Sequence, residues 1–166
     1  MEKLKGKALA KFGSHINTDE ISPSKFFTSF DPKDLAKGCL KEVDPDFTAK
    51  MSVGGFVVAA KNFGCGSSRE SAPVAMQAAG TTAIIAEEFA RIFYRNAINI
   101  GLPVIECPGI ADATDVGDEL EIDLEQGVVY NLTKNTKHQG IPIPPYLINQ
   151  IEAKGLLPLL KKRFGK

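Results

Sequence analysis

The stretch GFVVAAKNFGCGSSRESAPVAMQAAGTTAIIA, residues 55–86, decides the fold. Residues 55–61 form a short apolar run ending at Lys61, the pattern of a buried strand. A glycine-rich loop from Asn62 to Ser68 follows, then an alanine-rich helix closed by Gly80, then a second apolar strand at 82–86. Downstream, residues 88–98 (EFARIFYRNAI) carry helical spacing with Gly101 beyond them, and residues 103–106 read as a third strand. A strand–helix–strand–helix–strand run predicts parallel pairing with the helices layered beside the sheet.

Working outward, residues 4–12 (LKGKALAKF) read as an N-terminal strand. From Gly13 to Phe30 there is no clear periodicity and many turn formers, so a long loop is expected, of the kind that usually carries function. Asp31-Pro32 is a helix start, with Asp at the N-cap and Pro at the first position, and the helix is expected to reach about Cys39. Residues 44–50 (DPDFTAK) repeat that signal for a short helix. Beyond Asp118 the segments ELEIDL and VVYNLT alternate around Glu125-Gln126-Gly127, a hairpin signal, and residues 146–154 read as a late helix. The expected class is α/β with an antiparallel annex, as one domain over residues 1–166.

The glycine-rich loop concentrates chemistry. Gly64 and Gly66 let the backbone approach a ligand, and Ser67, Ser68 and Arg69 stand where the next helix opens, a combination suited to a carboxylate or phosphate. No lysine follows Gly66 in the phosphate-loop pattern, and Ser67 is not followed by x-Gly as a nucleophile elbow requires. Ser67-x-x-Glu70 matches a capping box, but a helix capped by Ser67 would put the Pro73 ring against the Arg69 carbonyl. The helix is therefore expected to start nearer Glu70, leaving Ser67, Ser68 and Arg69 in the loop.

Bulk properties exclude several classes. Twenty basic residues balance twenty acidic ones, leaving no global positive field for nucleic acid. No apolar run approaches a membrane span, and the first five residues lack a secretory signal's apolar stretch, so a cytoplasmic location is expected. Cys39, Cys65 and Cys107 form no CxxC pair, and His15 and His138 are isolated, so no metal or cofactor is expected on this chain.

Asn62-Phe63-Gly64-Cys65-Gly66-Ser67-Ser68-Arg69-Glu70-Ser71-Ala72-Pro73 resembles the swivelling domain of the aconitase family, most closely the branch in which that domain is a separate small subunit, as in isopropylmalate dehydratases and homoaconitases. Asn17-Thr18-Asp19-Glu20-Ile21-Ser22-Pro23, Ala83-Ile84-Ile85-Ala86 and the segment 89–101 agree in order and spacing. The resemblance implies a three-layer β/β/α swivelling domain with a mixed sheet or barrel. It also implies an obligate partner, a large subunit bearing a 4Fe–4S cluster, and a reaction that moves a hydroxyl between neighbouring carbons of a malate-like acid. By the same resemblance Ser67 is the base, working as an alkoxide, Ser68 and Arg69 bind a substrate carboxylate, and Asp19 is an active-site residue that orients its neighbours.

The family's specificity loop follows Pro23 and here reads Ser24-Lys25-Phe26-Phe27-Thr28-Ser29-Phe30. Homoaconitase-like relatives carry an arginine at the position aligned with Thr28, whereas this chain has no arginine before Arg69. A second buried carboxylate would lack its partner. An apolar substituent would meet Phe26 and Phe27, and Lys25 is a candidate carboxylate contact. These features favour an isopropyl-bearing acid and leave citramalate, dimethylmalate and homoaconitate open. A non-catalytic carboxylate-binding module and a phosphate-handling enzyme are the competing classes. Ser67 beside Arg69 argues against the first, and the missing phosphate-loop lysine argues against the second. Self-association of the isolated chain is left open.

Overall fold

The computed structural model describes residues 1–165. Seven strands form one mixed sheet in the order β4-β3-β2-β1-β5-β6-β7. β1 (Leu4–Phe12) is its spine. Its first half, Leu4 to Lys7, pairs antiparallel with β5 (Glu119–Asp123). Its second half, Ala8 to Phe12, pairs parallel with β2 (Gly55–Ala59), with a register shift between Ala8 and Ala10 where the strand changes partner. β3 (Thr81–Ala86) and β4 (Val104–Glu106) extend the parallel side, and β6 (Val128–Asn131) and β7 (Thr136–Gln139) extend the antiparallel side.

The two sides differ as their sequences do. Every residue of β2 is buried, as a strand covered on both faces requires, while β5 alternates buried and half-exposed positions. Helix α4 (Ser71–Ala79) crosses back from β2 to β3 and packs against α2 (Pro32–Lys37) and α5 (Arg91–Asn99). Asp31 caps α2 by accepting from the Lys33 N–H at 2.9 Å, with Pro32 at the first position, as the sequence predicts. α4 begins at Ser71 and puts Pro73 third, where its missing N–H breaks no helical bond. Gly80 ends it at φ +117, and a side chain there would run into the Met51 carbonyl.

Several elements differ from expectation. α5 starts at Arg91 rather than 88, because Phe89 and Ala90 run extended to pair with Phe63. The Gly13–Phe30 stretch contains a four-residue helix, α1 (Thr18–Ile21), and a 3-10 turn (Ser24–Phe26). α1 carries a true capping box: Asn17 Oδ1 accepts from the Glu20 N–H at 2.9 Å and the Glu20 carboxylate accepts from the Asn17 N–H at 3.0 Å. The predicted short helix is α3 (Phe47–Met51), and α6 (Ile110–Ala113) lies between β4 and β5. The late helix is α7 (Pro145–Glu152), followed by α8 (Leu156–Phe164). Among the described residues no helix is long and apolar enough to cross a membrane.

Candidate active site

At the C-terminal ends of the parallel strands, where ligands bind in open α/β sheets, the chain leaves β2 into the loop 60–70. That loop runs beside residues 15–18 through backbone bonds. Lys61 O accepts from the His15 N–H at 2.9 Å, Ile16 O accepts from the Gly64 N–H at 2.7 Å, and Cys65 O accepts from the Thr18 N–H at 2.9 Å. Asn17 and Cys65 form a parallel bridge. The buried Thr18 hydroxyl completes the ladder by donating to the Ser67 carbonyl at 2.8 Å. Gly64 sits at φ +84, and any side chain on it would collide with the Phe93 ring.

This ladder brings the two predicted segments together. Arg69 Nε lies 2.6 Å from Asp19 Oδ1. The contact is an ion pair rather than an aligned hydrogen bond, since Nε, although buried, finds no partner in hydrogen-bonding geometry. Among the described residues the Ser67 and Ser68 side chains have no hydrogen-bond partner, and both residues are exposed. Arg69 divides two hollows. Ser67 and Arg69 line a cleft of about 1100 Å³ together with Asn62, Tyr94, Arg91 and Arg95. Ser68 and Arg69 line a second hollow of about 620 Å³ with Phe30, Leu35 and Val74. Burial, with Glu106 and Tyr146 nearby, pushes the Tyr94 phenol up to about 12, so it stays protonated on the cleft wall.

The specificity loop is built differently. Asp34 Oδ2 accepts from the Thr28 and Ser29 N–H groups at 2.9 and 2.8 Å, and from the Ser29 and Thr28 hydroxyls at 3.2 and 3.4 Å. Those backbone donors, foremost Thr28, hold the Asp34 carboxyl below the usual carboxylate range. Lys25 is paired with Glu42 at 3.0 Å, and Phe26 lies between Lys25 and Lys41, each about 5.2 Å from its ring centre. Phe27 packs against the core and the Phe30 ring at 5.6 Å. Neither hollow is lined by Lys25, Phe26, Phe27 or Thr28. Thr18, Leu35, Val74 and Tyr94 are site-adjoining residues that sequence reasoning did not single out, and Phe30 was read only as one aromatic of the loop 24–30. Thr18 stood within the matched segment. Phe30 gave no signal beyond being aromatic.

The cysteines do not make a cluster-binding set. Burial raises the Cys39 thiol and, with Glu87, pushes Cys107 up to about 11, while Cys65 sits alone in the loop. Among the described residues no group of three or more His, Cys, Asp or Glu could hold a metal ion.

These features are those of an aconitase-type swivelling domain, and the aconitase C-terminal domain family matches residues 47–109, from α3 to the turn after β4. The chain is 49% identical to the 3-isopropylmalate dehydratase small subunit of Thermodesulfovibrio yellowstonii, over 98% of this chain and 96% of that one. It is 47% identical to the isopropylmalate/citramalate isomerase small subunit of Methanocaldococcus jannaschii, again over 98% and 96%. The crystal structure of a 3-isopropylmalate dehydratase from the same archaeon superposes with a TM-score of 0.89 at 41% identity, covering 98% of this chain and 95% of that one. The chain therefore belongs to the family of 3-isopropylmalate dehydratase small subunits.

Proposed function

We propose that this chain is the small subunit of a two-component hydro-lyase that interconverts 2-isopropylmalate and 3-isopropylmalate through isopropylmaleate, a step of leucine biosynthesis in the cytoplasm. The observation that carries the reading is the backbone ladder that holds Ser67 beside an Arg69 already oriented by Asp19. As base, the Ser67 alkoxide takes the proton from the carbon next to a carboxylate. The electron pair of that C–H bond becomes the double bond, and the C–O bond on the neighbouring carbon breaks, releasing hydroxide, which with the proton now held on Ser67 Oγ makes up the water lost and regenerates the alkoxide. Rehydration in the opposite sense gives the isomer. A 4Fe–4S cluster on the large subunit would polarise the leaving hydroxyl.

Ser68 and the guanidinium of Arg69 hold a substrate carboxylate, and the ion pair with Asp19 keeps that guanidinium beside the loop. Asp19 is a positioning residue here, since its Oδ1 is paired with Arg69. A relative whose name joins isopropylmalate and citramalate makes citramalate the second substrate to consider.

The test is anaerobic turnover by this chain mixed with its cluster-loaded large subunit, on isopropylmalate, citramalate, dimethylmalate and homocitrate-type acids. Isopropylmalate turnover that requires both chains is expected. An assembled, cluster-loaded complex that turns over none of these acids would remove the assignment.

A further inference from the structure

Resting on the proposed isomerase function, we infer that the substrate's apolar substituent is read by Phe30, Leu35 and Val74, and not by Phe26 and Phe27. The hollow on the Ser68 side of Arg69 has two unlike walls. Ser68 and Arg69 supply a hydroxyl and a cation. Phe30, Leu35 and Val74, from the loop end, α2 and α4, supply hydrocarbon. An acid that sets its carboxylate against Arg69 and carries a branched alkyl group a bond or two away fits that split, since small-ligand sites combine apolar walls with a few placed polar groups.

Phe30 is 76% exposed. It is nevertheless held, because Asp34 pins the two residues before it and the Phe27 ring braces it at 5.6 Å. Phe26 is already taken by the Lys25 and Lys41 ammonium groups, and a side chain on Gly38 would strike it. The same hollow disfavours a third carboxylate. Its lining includes Glu70, its one cation, Arg69, is paired with Asp19, and Lys25 is held by Glu42. A charged substituent would meet a like charge and no free partner.

The test measures kcat/KM for 3-isopropylmalate and for citramalate on the assembled two-subunit enzyme. Val74→Phe fills the hollow from α4, and Phe30→Ala removes the opposite wall. Because a methylene in an apolar pocket shifts discrimination by about 10-fold or more, Val74→Phe should lower the isopropylmalate-to-citramalate ratio at least tenfold. Phe30→Ala should lower it by about the same factor through lost contact. Co-purification with the large subunit and an unchanged melting temperature establish that each variant is folded. An unaltered ratio in both variants, or an equal loss on both acids, would overturn the inference. A wild-type complex inactive on both acids would remove the proposed function, and the inference with it.

Discussion

Two loops meet at Arg69 and are held by different means. The loop 62–69 is fastened by backbone bonds to residues 15–18 and by a hydroxyl to a carbonyl. The loop 24–30 is fastened by side chains: Asp34 ties Thr28 and Ser29, Glu42 pairs with Lys25, and the Phe27 ring packs on the core. A backbone ladder tolerates most side-chain changes around it, while a loop tied by side chains can be re-aimed by a few substitutions. On the proposed function, the arrangement separates the part that performs chemistry from the part that selects the substrate.

The largest effect should come from breaking the ladder at Gly64. Gly64→Ala forces a Cβ into the Phe93 ring at a positive φ, a cost on the order of 3 kcal/mol. A lower melting temperature together with lost turnover checks it, and a variant as stable as the parent would show the loop to be loosely held.

A smaller break is Thr18→Val, which keeps the shape and deletes the hydroxyl that serves the Ser67 carbonyl. Leaving that carbonyl without its donor should cost about 1–2 kcal/mol. It should lower kcat about tenfold with KM nearly unchanged, because the base is displaced while Arg69 still binds. Thr18→Ser should restore kcat. A loss confined to KM would place the role of Thr18 elsewhere.

The smallest effect on stability should come from Asp34→Asn, which weakens the ties to Thr28 and Ser29. A raised KM for isopropylmalate with little change in citramalate turnover is expected. The pH dependence has a definite sign. The folded-state value of Asp34 lies below the ordinary 3.8, so its stabilisation is complete above that value and is lost as pH falls through the lower folded value. Protease accessibility of residues 24–30 across acidic pH reads this directly. In Asp34→Asn the acid-induced step should vanish.

The comparison also explains what was legible in the sequence. The apolar runs at β2 and β3, the Gly80 stop and the Pro73 constraint read correctly because each is a local steric or hydrophobic signal. The start of α5 did not, because a tertiary pairing between Phe63 and Phe89 overrides the helical pattern at residues 88–90. β7 was invisible for a related reason. Its TKHQ sequence is largely exposed and has no alternation to detect. At the site, the Ser67-Ser68-Arg69 run was picked out by its pattern and Asp19 by the family resemblance, and the structure sets Asp19 against Arg69. Within the aromatic run 26–30 composition favours all three rings equally, and only the fold separates them: Phe30 lines a hollow with Arg69, while Phe26 lies against Lys25, Lys41 and Gly38 and Phe27 packs on the core.

The measurement that tests the central claim most directly is kcat for 3-isopropylmalate of the assembled complex carrying Ser67→Ala, with assembly and cluster content matched to the parent. Removing a general base should lower kcat by about 10²- to 10⁴-fold, with the complex intact. A Ser67→Ala complex that retains parental kcat would contradict the account, since no base would then be located in the ladder that Thr18 and Gly64 hold in place.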